Sequence, residues 1–82
     1  MKYQKIPALS GIKLIKLLES DNWVKHGHRA HGVALRKRIG DKTRVTIIPY
    51  TKASLPEGTL MMILGRQQTG IGKKGLLKIL NR

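Results

Sequence analysis

Residues 31–50, HGVALRKRIGDKTRVTIIPY, decide how this chain folds. From His31 to Arg38 apolar Val33 and Leu35 alternate loosely with their neighbours, and Ile39-Gly40-Asp41-Lys42 carries turn residues. Thr43, Val45, Thr46, Ile47 and Ile48 then form a β-branched run. Branching at Cβ stiffens χ1 and suits a pleated surface, so two strands joined by a tight turn are expected. Pro49 cannot donate to a ladder and ends the second of them.

Working outward, Trp23-Val24 opens another strand that runs toward His28, with a turn expected between Gly27 and Ala30. The three strands make an antiparallel meander. Ahead of it, Ser10 is an N-cap candidate for Ile12, Leu14, Ile15, Leu17 and Leu18, which interleave with Lys13, Lys16 and Glu19 in the pattern of an amphipathic helix. Ser20-Asp21-Asn22 ends that helix. Beyond the meander, Pro56 suits a first helical turn, Leu60, Ile63 and Leu64 share one face, and Gly65 is a terminator. A last helix is expected over Lys73 to Leu80, with Leu76, Leu77 and Leu80 inward. The order α-β-β-β-α-α predicts a small α+β fold with helices packed on one face of a three-stranded antiparallel sheet.

With 82 residues the chain suffices for one domain, 1–82, and not for two. It carries 17 Lys+Arg against 4 Asp+Glu, a formal net charge of +13. Such an excess attracts phosphate and makes the folded chain repel itself, a strain that a nucleic acid or an acidic partner relieves. The absence of cysteine excludes disulfides and Cys-based zinc sites. Apolar runs such as Leu60–Leu64 are far too short for a membrane span, and the mixed, polar segment after Met1 is not expected to act as a secretory signal. A cytoplasmic protein is expected.

Three histidines, His26, His28 and His31, crowd into this basic chain. Histidine exchanges protons near neutral pH, so the combination suggests a protein that binds nucleic acid and cuts it. Metal-assisted phosphodiester hydrolysis needs clustered carboxylates, and Glu19, Asp21, Asp41 and Glu57 are scattered. The metal-free route uses the ribose 2′-OH as nucleophile, a general base to take its proton, and cations to stabilise the developing charge. In that scheme His31 is the acid or base, and Arg29 with His28 holds phosphate. The plainer alternative makes His31 a strand residue with local hydrogen bonds. A three-nitrogen zinc site would require the chain to fold His31 back onto His26 and His28.

Gly70-Ile71-Gly72-Lys73-Lys74-Gly75 matches G-x-G-x-x-G, but the βαβ unit of a dinucleotide site is missing, so no cofactor is expected. Lys73 and Lys74 fall at a helix N-terminus, where cations oppose the macrodipole; they are either solvated or offset by an RNA phosphate. The remaining basic runs, Arg36-Lys37-Arg38 with Lys42 and Arg44, read as solvated faces. Trp23 is expected in the core, and with so few aromatic residues base stacking is a weak recognition mode here.

From Leu9 to Leu80 the chain resembles the HicA-type mRNA interferase toxins of toxin–antitoxin pairs. The resemblance rests on a helix ending before Trp23, a basic stretch ending in His31, Thr46-Ile47-Ile48-Pro49, Pro56-Glu57-Gly58-Thr59-Leu60 and Gln68-Thr69-Gly70-Ile71-Gly72. In that family a Gly-Ser-His element opens the second strand. His31 occupies the histidine position, and Arg29-Ala30 stand where Gly-Ser is usual. The resemblance implies a fold like a double-stranded-RNA-binding domain and a metal-independent endoribonuclease acting on mRNA. It also implies a HicB-type antitoxin as partner. The reading from a different class is a non-catalytic RNA- or DNA-binding module that uses shape and phosphate contacts.

Overall fold

A computed structural model describes residues 3–82. The Ser10 side chain accepts a hydrogen bond from the Lys13 amide at 3.1 Å and so caps helix α1, Gly11–Ser20. The helix ends in a Schellman arrangement: the Trp23 amide donates to the Leu18 carbonyl at 3.0 Å and the Asn22 amide to the Glu19 carbonyl at 3.1 Å. Asn22, with φ 71°, takes the left-handed position there.

Strands β1 (Val24–Arg29), β2 (Gly32–Ile39) and β3 (Lys42–Ile48) follow, then helices α2 (Glu57–Leu64) and α3 (Gly72–Leu80). The element order is the expected one, and the sheet is an antiparallel β1-β2-β3 meander. Gly40, with φ 65°, shapes the two-residue loop between Ile39 and Lys42. The turn between β1 and β2 differs from expectation. Strand β1 runs on to Arg29, the turn is Ala30-His31, and His31 therefore precedes the second strand instead of opening it.

Gly27 makes a bulge instead of a turn. Pairing runs Val24 to Arg36 and Lys25 to Leu35, then resumes one residue out of step with His28 to Val33 and Arg29 to Gly32. Arg36 and Val33 lie on opposite faces of β2, so Val24 and His28 lie on opposite faces of the sheet although they are four positions apart in sequence. Simple alternation would have put them together.

One hydrophobic cluster joins Leu14, Ile15 and Leu18 of α1 to Trp23, to Val33, Leu35 and Ile48 of the sheet, and to the apolar faces of α2 and α3. The helices cover the face that Val33, Leu35 and Ile48 share. In α2 the expected Leu60, Ile63 and Leu64 are buried. In α3 the buried pair is Leu76 and Ile79, whereas Leu77 is half-exposed. Strand β1 contributes nothing to the core, all six of its residues being exposed. Its hold on the molecule is the ladder to β2.

Two glycines seal the end of the sheet where β3 leaves it. A Cβ on Gly11 would overlap the Pro49 carbonyl oxygen, and one on Gly32 the Ile48 carbonyl oxygen. Gly32 also has φ 145°, a conformation open to glycine and strained for other residues. The first turn of α1 and the start of β2 thus press on two successive carbonyls, those of Pro49 and Ile48. No helix among the described residues is long and apolar enough to cross a membrane.

Candidate functional site

His31 sits at the sealed end of the sheet, held there by what surrounds it in sequence. Gly32 fixes the backbone against Ile48 and Pro49, and the Arg29–Gly32 pair closes the turn. His31 lines a groove of about 370 Å³ that continues along β3 past Pro49, Ile47 and Val45. Thr59 and Met62 of α2 form the opposite wall, and Thr46 and Gln68 contribute its polar groups.

Gln68 belongs to the α2–α3 loop, which β3 pulls back onto the sheet. Arg44 donates through Nη1 to the Arg66 carbonyl at 2.5 Å and to the Gln68 carbonyl at 3.3 Å. The Thr46 hydroxyl donates to Gln68 Oε1 at 2.5 Å. Within the loop, the Thr69 amide and hydroxyl both donate to the Ile63 carbonyl, at 3.0 and 2.8 Å. Arg44 is therefore a structural latch and not the solvated charge its sequence neighbours suggested.

Around the hairpin the other site candidates are exposed. His28 pairs with Val33 and turns its ring to Tyr50, with ring centroids 5.8 Å apart and planes inclined by 59°. Arg29 is the last residue of β1, two positions from His31. His28, Arg29 and His31 are thus gathered at one end of the sheet, together with Tyr50, a neighbour that the sequence reading left among the scarce aromatics. Among the described residues no group of three His, Cys, Asp or Glu side chains comes together as a metal site, so the three histidines do not form the nitrogen triad considered above.

Lys73 and Lys74 lie in the first turn of α3, exposed and with no acidic residue beside them in that turn. Lys73 lines a different cavity, of about 540 Å³, between the N-terminal strap (Gln4 to Leu9) and α2. His31 and Lys73 do not share a cavity.

The acids are equally informative. Asp21 is bound on both oxygens, by Lys37 Nζ at 3.2 Å and Arg82 Nη2 at 2.7 Å. Burial pulls its pKa upward, but the Arg82 and Lys37 bonds outweigh that and hold the carboxyl below its usual value. Among the described residues these are the only ion pairs, so the great majority of the basic side chains face no carboxylate within 4.0 Å. Trp23 is buried, as expected, although its indole Nε1 finds no hydrogen-bond partner among the described residues.

Comparison of the chain with known protein families, with curated proteins and with solved structures finds no match in any of the three.

Proposed function

We propose that this chain is a metal-independent endoribonuclease of the HicA toxin type. The observation that carries the reading is His31 in the lining of a groove, with Arg29 and His28 gathered at the same end of a strongly basic sheet. In the proposed reaction His31 takes the proton of a ribose 2′-OH. The 2′-oxygen attacks phosphorus, the bond from phosphorus to the 5′-oxygen breaks, and that oxygen takes a proton from water. The products are a 2′,3′-cyclic phosphate and a 5′-hydroxyl. Arg29 and His28 would hold the phosphate, with Lys73 and Lys74 meeting RNA further along. Placement in the cytoplasm, where mRNA is met, belongs to the same proposal.

A HicB-type antitoxin, acidic on its contact face, would cover His31 and the surrounding charge, and opposite charges would speed its association at low salt. The second reading, a non-catalytic RNA- or DNA-binding module, draws support from a specific feature. Among the described residues no hydrogen bond orients the imidazole of His31, and the residues before it are Arg29-Ala30.

Cleavage decides between the two. A labelled single-stranded RNA and its all-DNA counterpart are incubated with wild type and with His31→Ala in excess EDTA. Cleavage of RNA alone by wild type, reduced on the order of 10²–10⁴-fold in His31→Ala, supports the endoribonuclease. Salt-sensitive binding without cleavage supports the binding module.

A further inference from the structure

The groove beyond His31 has a composition that proton transfer alone does not require. Its walls are Val45, Ile47, Pro49 and Met62, of which Val45 is 47%, Ile47 39% and Met62 59% exposed, while the core on the other face of the sheet is closed. In a chain of net charge +13, an apolar slot of this kind is suited to a ligand with flat apolar faces joined to an anionic backbone.

Gln68 supplies the slot with a fixed polar group. Its side-chain oxygen accepts from Thr46, itself 1% exposed, its backbone carbonyl accepts from Arg44, and its amide donates to the Gly65 carbonyl at 3.0 Å. A surface glutamine with no more than solvent to meet has no such tethers. Among the described residues no hydrogen bond engages Nε2, and Oε1 keeps a second lone pair. The groove therefore meets a donor and an acceptor side by side, in an orientation set by a buried hydroxyl.

We propose that this groove receives one nucleobase of the RNA strand beside the phosphate at His31, and that the Gln68 amide reads its edge. A glutamine amide pairs most directly with adenine, giving a hydrogen bond to the ring nitrogen and accepting one from the amino group. Thr46 is then a positioning residue. The inference rests on the RNA-directed reading above, but its content lies in residues that play no part in the proton transfer.

The test uses binding, so that it does not depend on turnover. In a His31→Ala background, the affinities for short single-stranded oligoadenylate, oligocytidylate and oligouridylate are measured by fluorescence anisotropy, with and without Gln68→Leu. Adenylate is expected to bind tightest, and its advantage to shrink on the order of tenfold in Gln68→Leu. Thr46→Val, folded by circular dichroism, is expected to lose part of the same advantage with little change in overall affinity. RNA binding whose base preference is the same with and without Gln68→Leu overturns the inference and leaves the endoribonuclease reading standing; a groove made for an apolar side chain of a protein partner would give that result. No RNA binding at all overturns both.

Discussion

Gly32 passes so close to the Ile48 carbonyl oxygen that no side chain fits between them. Gly32→Ala must displace the end of β3 and also accept a backbone φ of 145°, so it is expected to cost at least about 2 kcal/mol. Gly40→Ala is the control, since φ is 65° there but a Cβ would meet nothing within 4 Å. It should cost about 1 kcal/mol, the left-handed penalty alone. Urea unfolding of the two variants beside wild type gives the comparison, and equal losses would remove the steric argument.

Asp21 links the end of α1 to β2 and to the last residue of the chain through Lys37 and Arg82. Its folded pKa lies below its unfolded one, so the stability it contributes is present above about pH 3.9 and is lost as pH falls through the lower folded value. Asp21→Asn is expected to cost about 1 kcal/mol at pH 7. The gap between the two proteins should close in strongly acid solution. A gap that stays constant with pH would mean that the carboxylate charge is not what holds these elements.

Arg44→Lys keeps the charge and loses the planar donor that reaches two loop carbonyls. A loss of about 1–2 kcal/mol is expected, with the salt dependence of the RNA binding proposed above unchanged. Arg44→Gln, which removes the charge, is expected to lose as much stability; if instead it left stability intact and lowered the salt slope of that binding by about one unit, Arg44 would be a phosphate contact.

Trp23 is 2% exposed, and its Nε1 is unsatisfied among the described residues. Trp23→Phe keeps most of the buried ring and removes the orphan donor, so its cost should stay under about 1.5 kcal/mol, against about 3–5 kcal/mol for Trp23→Ala. Thermal melting of both variants checks the ratio. A large loss in the Phe variant would mean that the indole nitrogen is partnered in solution.

The helices and strands were legible because their signals are local. Ser10 caps α1 as its position suggested, and the β-branched run from Thr43 to Ile48 is β3. The bulge at Gly27 was not legible, since a glycine between basic residues looks the same as a turn until the partner strand sets the register. Tyr50 and Gln68 escaped for a related reason. The one meets His28 across the sheet end and the other is held by Thr46 and Arg44, contacts that span 22 residues or more in sequence. His31 stood out in the sequence by its chemistry and by the resemblance, and its seat in the turn follows from a glycine that fits against Ile48.

Strand β1 leaves its outer edge open, and an open edge can accept the same edge of a second copy across a two-fold axis. The irregularity between Lys25 and His28 breaks the even spacing such a pairing requires, while Lys25 and Arg29 would set like charges against each other. An uninterrupted β1, made by deleting Gly27, would offer a straight template in its place. The extra residue therefore makes the edge that carries two of the three histidines a poorer template for another strand.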